Sequence, residues 1–263
     1  MRIVVTSVML WASLLALPLR AGWLEENRKI VRTNLIGSAV ILTWGYFTWD
    51  YGSRAPHFAH EGWFGKKTKH GGMDKLGHLY TNYLLTQILA ARFRDYGYTQ
   101  RYAACTGAIS SFFLNGVMEV GDSFGDYGFS YEDIIFNAVG ASLGYLMLTE
   151  RTIDDAVDIR ISYLPSRRVR SGADTDIFTD YEGMKFLAAY KFSSLPGSRT
   201  HFWRYLELHA GYYVRSEGGQ NRRYPYLGIG INFSTLLAPL GRNLSRLFEF
   251  YQPPLGYIPV TPK

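Results

Sequence analysis

The stretch 71-GGMDKLGHLYTNYLLTQILAARF-93 reads as an apolar helix with an unusual beginning. Its first turns hold an acid, a base and an imidazole, Asp74, Lys75 and His78. Asp74 and His78 are spaced i, i+4, so both fall on one face of the helix start. A helix that buries itself has no ordinary use for such a start, because polar groups among apolar helices are costly and turn toward a cavity or toward each other.

Two further helices flank this one. The spacing predicts one over about 100–121 and another over about 131–149, joined by the short loop 122-DSFGDYGF-129. Ser130 suits the N-cap of the later helix. Glu119 and Asp122 are i, i+3 at the end of the first, and Asp133 and Asn137 are i, i+4 at the start of the second. If the helix at 74–94 packs antiparallel to the helix at 100–121, all six side chains share one layer. An earlier apolar segment, 34-NLIGSAVILTWGYFTW-49, ends in aromatic residues and approaches the length of a short membrane span. Gly140 and Gly144, spaced i, i+4, permit close helix approach.

After Arg151 the period changes to two. In 157-VDIRISY-163, 205-YLELHAGYYV-214 and 226-YLGIGINF-233 apolar residues alternate with polar ones or glycine, and 184-MKFLAAYKF-192 does so more loosely. Four half-buried strands predict an antiparallel sheet or meander. Four cannot close a membrane barrel, which needs about eight, so the sheet covers the helices, lies on a membrane or pairs with another chain, and the first is expected. The tail 236-LLAPLGRNLSRLFEFYQ-252 adds an amphipathic helix, after which Pro253, Pro254 and Pro259 are expected to end regular structure. The expected fold class is α+β. A membrane-associated bundle of about four helices over 22–150 is followed by a small antiparallel β region with a C-terminal tail over 151–263.

Composition narrows the setting. Hydrophobic residues are 47% and charged residues 19%, more apolar and less charged than a typical soluble domain. The 20 Tyr and 6 Trp suit an interface where one end of a ring is dry and the other wet. The net charge of +6 is scattered without a basic run, so no nucleic-acid footprint is inferred, and anionic lipid head groups fit the excess. MRIVVTSVMLWASLLALPLRA (1–21) reads as a secretory signal peptide or an uncleaved membrane anchor. The single cysteine, Cys105, lies in the small-residue run AACTGA and reads as a core residue.

One His among carboxylates can hold a divalent metal or serve as a general base whose tautomer an acid fixes, and Lys75 could neutralise a phosphate. The candidate ligand-binding residues are therefore Asp74, Lys75, His78, Glu119, Asp122, Asp133 and Asn137. The catalytic candidates among them are His78, Glu119 and Asp74. The spacing is no established metal motif, and neither a cofactor nor a metal is assigned from it.

The segments EGWFGKKTKHGGMDKLGH (61–78), Tyr80, Tyr83 and MEVGDSFGDYGFSYEDIIFNAVGASLGYL (118–146) resemble the YfiM-like family of predicted periplasmic lipoproteins, a bacterial domain of unknown function (DUF2279). The shared features are E-x-W-F-G, G-G-x-D-K-x-G-H, E-x-x-D, G-F-S-x-x-D and N-x-x-G. A more distant likeness joins D-K-x-x-H, a helix-borne Glu and D-x-x-x-N-x-x-G to VanZ-like membrane proteins. The resemblance implies an envelope location and a helical, membrane-associated core. It supplies no activity, and no cysteine here suits a lipid anchor. The expected role is binding of a membrane lipid or lipid-linked head group through the polar layer. The alternatives are a membrane hydrolase or transferase acting on phospho- or glycolipid through His78 with Glu119 and Asp74, and a purely structural envelope module.

Overall fold

The computed structural model describes residues 21–65, 68–173, 175–217 and 220–260. Nearly all of the expected signal segment 1–21 lies outside them. The helical half comprises α1 (Ala21–Glu26), α2 (Arg28–Thr48), α3 (Met73–Asp95), α4 (Gln100–Asp122), α5 (Tyr131–Thr149) and α6 (Arg151–Ala156). The second half runs β1 (Val157–Tyr163), α7 (Arg167–Arg170), β2 (Met184–Lys191), β3 (Leu206–Glu217), β4 (Gln220–Ile231), α8 (Phe233–Leu237), α9 (Arg242–Phe250) and β5 (Tyr257–Pro259). The fold is α+β, as expected, with a helical region followed by an antiparallel sheet of five strands in the order β1-β2-β3-β4-β5.

Local chemistry sets the helix starts. Gly71 and Gly72 adopt φ of 61° and 89°, where a side chain is strained, and turn the chain into α3. Thr99 caps α4 by accepting from the amide of Tyr102, and Ser130 caps α5 by accepting from the amide of Asp133 at 3.3 Å.

Small residues draw the helices together. A Cβ on Gly107 of α4 would stand 2.9 Å from the backbone nitrogen of Ala90 in α3. One on Gly140 of α5 would stand 2.1 Å from the carbonyl oxygen of Leu79, and one on Gly144 2.6 Å from Thr86 Cβ. Ser111 meets Asn82 and Gly107 meets Ala90, so α4 runs antiparallel to α3. Contacts between Asn137 and Asn82 and between Gly144 and Thr86 make α5 parallel to α3. Cys105 is exposed, contrary to its expected core position. Ala103, Ala104 and Gly107 take the buried side of α4, and Cys105 falls on the opposite side of the turn.

The sheet inverts the usual pattern. On β1 the residues Asp158, Arg160 and Ser162 are buried, while Val157, Ile159 and Ile161 are only half-buried. The apolar face packs at one end on the helices, where Phe186, Met184 and Val214 join Met73, Tyr80, Tyr83 and Met147 in one core. Toward its other end Leu208, Leu227, Ile229 and Ile231 are 40–49% exposed. The opposite, polar face is enclosed because the chain after α9 crosses from one sheet edge to the other. Tyr251 bridges Ile161 at the free edge of β1, and the amide of Gln252 donates to the carbonyl oxygen of Ile161 at 2.9 Å. A few residues later β5 pairs with β4 at the far edge. Regular structure therefore does not end at Pro253: Pro254 and Pro259 sit on the crossing segment and in β5 itself. Proline is tolerated there because β5 is an outer strand, where a missing N–H costs no ladder bond.

Enclosed within this curl is an ionic network. Arg160 makes a paired contact with Glu207, Nη1 to Oε1 at 2.6 Å and Nη2 to Oε2 at 3.0 Å. It also donates to Asp158 at 2.5 Å and to Gln252 Oε1 at 2.8 Å. Lys191 holds the second oxygen of Asp158 at 2.6 Å, and His209 Nε2 meets Glu207 at 2.7 Å. The ring of His209 takes the space a side chain on Gly230 would need.

Candidate functional site

The loop before α3, the end of α4 and the starts of α3 and α5 meet in one polar layer. Lys75 is completely buried, and its Nζ lies 2.5 Å from Glu61 Oε2, 2.7 Å from Asp74 Oδ2 and 2.9 Å from Asp133 Oδ1. Burial draws the lysine pKa down, but Asp74 and Asp133 outweigh it, so the ammonium is held above its ordinary range. The carboxylates divide that charge unequally. Burial raises Asp74, but Lys75 beside it leaves the group below its ordinary value. Burial pushes Glu61 up to about 7 in spite of the same lysine. Glu61 sits at the rim, and Asp74 takes the larger share of the lysine's field.

His78 occupies the second half of the layer. Its Nδ1 is 3.1 Å from Asn137 Oδ1 and 3.4 Å from Glu119 Oε1, and its Nε2 is 3.8 Å from Asp133 Oδ1. Asn82 Nδ2 donates to the carbonyl oxygen of His78 at 3.1 Å and to Asn137 Oδ1 at 2.5 Å. Ser111 of α4 donates toward Asn82 Oδ1 at 3.0 Å. Glu119 is 1% exposed. Burial, then Asp133 and Asp122, raise its pKa well above the ordinary value. Its Oε2 accepts from the amide of Ser130 at 3.4 Å, while its Oε1 accepts no hydrogen bond.

Five of the six expected side chains thus converge, Asp74, His78, Glu119, Asp133 and Asn137, with Lys75 among them. Asp122 lies at the flank. Burial, with Asp133 adding to it, raises its pKa to about 7. Asp133 also departs from a simple capping role. Its amide serves the cap, while its carboxylate reaches Lys75 and Glu132 takes the Ser130 hydroxyl at 3.2 Å.

Several members were missed by sequence reasoning. Glu61 stands in the E-x-W-F-G motif and closes the lysine's coordination. Asn82 is i, i+4 from His78, and the spacing that picked out His78 applies equally to it. Glu132, fully buried, accepts from the amide of Gly62 at 3.2 Å and meets His60 Nδ1 at 3.1 Å. Two groups of three bring one ligand atom each within 4.8 Å of the others: His78, Glu119 and Asp133, and Glu61, Asp74 and Asp133.

A second feature lies beside the layer. A groove of about 560 Å³ runs between α3, α5 and the apolar face of β2–β4. Leu76, Leu79, Leu143, Phe186 and Leu227 line it, together with Tyr212. The Tyr212 hydroxyl donates to the carbonyl oxygen of Gly71 at 2.6 Å, so the groove wall abuts the loop that opens the layer.

Fold and site together define an α+β protein whose three central helices enclose an acidic, lysine-centred layer and whose sheet turns its apolar face partly onto the helices and partly outward. Residues 60–149 match the family described as predicted periplasmic lipoprotein (DUF2279). That description supports an exported, envelope-associated location. No curated protein and no solved structure matches the chain.

Proposed function

We propose that this is a membrane-associated envelope protein that holds the acyl chain of a lipid in the groove between its helices and its sheet. The groove carries the reading. Its volume falls in the range of small-molecule sites, and its walls are apolar. The helices around it add support. On α2 the residues Leu35, Ile36, Val40, Trp44, Tyr46 and Phe47 are exposed, a density on one helix that points to a partner or membrane surface. The aromatic end of that helix suits the lipid–water interface. α4 is, among the described residues, the one helix with the length and apolarity of a membrane span.

A head group would meet the polar layer at its rim, near Glu61 and Gly71. The deep lysine is already matched by three carboxylates, so an anionic head group gains little from it. The finer likeness to YfiM-like and VanZ-like proteins fits this reading, because the residues of D-K-x-x-H and D-x-x-x-N-x-x-G touch one another here.

The test is lipid content. Protein purified from membranes in mild detergent is expected to carry lipid detectable by mass spectrometry. Ala210→Trp and Leu143→Trp, which fill the groove from opposite walls, are expected to lower the bound amount several-fold with circular dichroism unchanged. Wild-type protein free of lipid, or equal lipid in both variants, would overturn the proposal.

A structural reading has its own observation. The chain Ser111–Asn82–Asn137 ties α4, α3 and α5 through fully or almost fully buried side chains, which sets helix register whatever the groove holds. The hydrolase reading finds less support, since the recorded polar partners of the His78 ring are an amide and two carboxylates rather than a nucleophile.

A further inference from the structure

The two groups of three acids and imidazole share Asp133 but differ in one respect. In the group of Glu61, Asp74 and Asp133, the Lys75 ammonium sits against all three members. Among the described residues, no lysine or arginine lies against His78 or Glu119. There two carboxylates, 1% and 4% exposed, face one imidazole. Glu119 Oε1 accepts no hydrogen bond although it is buried, whereas Asp133 Oδ1 has the Lys75 ammonium 2.9 Å away. Buried acceptors left without a hydrogen bond are uncommon and costly.

The hydrogen bonds fix which nitrogen of His78 faces this gap. The carbonyl oxygen of His78 can only accept, so the Asn82 atom at 3.1 Å is its amide nitrogen. That nitrogen also faces Asn137, whose nearest atom must therefore be oxygen. The oxygen in turn requires a proton on His78 Nδ1. In the neutral ring Nε2 then carries the lone pair, and it faces Asp133 Oδ1 at 3.8 Å, too far for a hydrogen bond. An imidazole whose Nδ1–H is held by a protein oxygen while Nε2 stays open is the arrangement of a metal-ligating histidine with its outer partner.

We infer that His78 Nε2, Asp133 and Glu119 bind a divalent transition-metal cation, with Asn137 orienting the imidazole. One nitrogen and two carboxylate oxygens suit Zn²⁺ or Mn²⁺ better than Mg²⁺, which prefers oxygens and retained water. Ligand atoms around tetrahedral Zn²⁺ stand about 3.3 Å apart; one atom each of His78, Glu119 and Asp133 lies within 4.8 Å of the others, so binding needs an inward movement and a turn of the Glu119 carboxylate, whose Oε1 stands 3.4 Å from Nδ1, toward Nε2. The cation gives Glu119 the positive charge that Lys75 gives Asp133, whose Oδ1 stands 2.9 Å from the lysine Nζ. His78 keeps 12% of its side chain exposed, which leaves a way in.

The full chain, stripped with a chelator in detergent and dialysed against Zn²⁺ or Mn²⁺, is expected to bind one equivalent. His78→Ala and Glu119→Gln are expected to abolish that equivalent, and Asn137→Ala to weaken it about 10–100-fold. Glu61→Gln, which touches only the lysine's side, is expected to retain it. Glu119→Gln preserves shape, so circular dichroism of that variant checks folding, and metal is expected to raise the melting temperature of wild type but not of the variant. Wild type that binds no metal, or metal retained in both His78→Ala and Glu119→Gln, would refute the site. Lipid content, read on the groove variants, is a separate measurement and neither result decides the other.

Discussion

Lys75 is fully buried with three carboxylate oxygens within 2.9 Å of its ammonium. Such a group contributes little net stability compared with an apolar residue, because desolvation offsets most of the attraction. Removing it alone is another matter, since it strands Glu61, Asp74 and Asp133 together. Lys75→Met is expected to destabilise the fold by about 3–5 kcal/mol, read by denaturant titration in detergent. Adding Asp133→Asn to that variant is expected to restore part of the loss. A single-variant effect under about 1 kcal/mol would show that the carboxylates simply protonate. The sequence exposed this residue layer to the extent that helical spacing reaches. Asp74, His78, Glu119, Asp133 and Asn137 were legible because i, i+3 and i, i+4 pairs share a face. Glu61 was not, because it lies on a loop, and loop residues have no period to read.

At the scale of elements, helices α2 to α5 were legible to within a few residues, apart from the first turns of α2. Their apolar runs are long, and α4 and α5 begin at side-chain caps, Thr99 and Ser130. The strands were legible as alternating segments, yet their orientation was not. Alternation says that two faces differ but not which one is buried, and here the polar face is inside. The amphipathic tail appears as α9, which closes one side of a polar cleft with Asp154, Asp158 and Arg246. Within it, burial first and then Asp158 and Asp154 push Glu249 up to about 7 from an ordinary 4.5, against Lys191 and Arg246. A carboxyl raised by folding favours the folded state below the unfolded value. That contribution is lost as pH rises from about 4.5 through about 7. Stability is therefore expected to fall across this window by about 1–2 kcal/mol, after a discount for the partial exposure of Glu249. Glu249→Gln is expected to flatten the slope and to be more stable than wild type at pH 8. Thermal melts of both proteins between pH 4.5 and 8 check this, and parallel slopes would exclude Glu249 as the source.

Over the whole molecule, the segment after α9 decides whether the sheet is an open layer or an enclosure. It holds β1 through Tyr251 and Gln252, and it holds β4 through β5. Gln252 also reaches inside, accepting from Arg160 at 2.8 Å. This closure was not legible beforehand, because a single bridge and a three-residue strand carry no periodic signal, and the prolines argued for irregular chain. Without the segment, both outer edges lose their partners, and water reaches Arg160, Asp158 and Glu207. Unpaired strand edges and a wetted ionic cluster both weaken local order. A chain ending at Phe250 is expected to lose amide protection in β1 and β4 by about 100-fold or more, equivalent to about 2.7 kcal/mol of local opening. The amides of α3 and α5 are expected to keep theirs, since their contacts with each other and with α4 do not involve the removed residues. Hydrogen exchange followed by mass spectrometry separates these segments. Gln252→Ala in the full chain then isolates the inner hydrogen bond from the edge pairing, with loss expected mainly in β1. Unchanged protection of β1 and β4 in the shortened chain would mean that the sheet holds its curl through the Arg160 network alone.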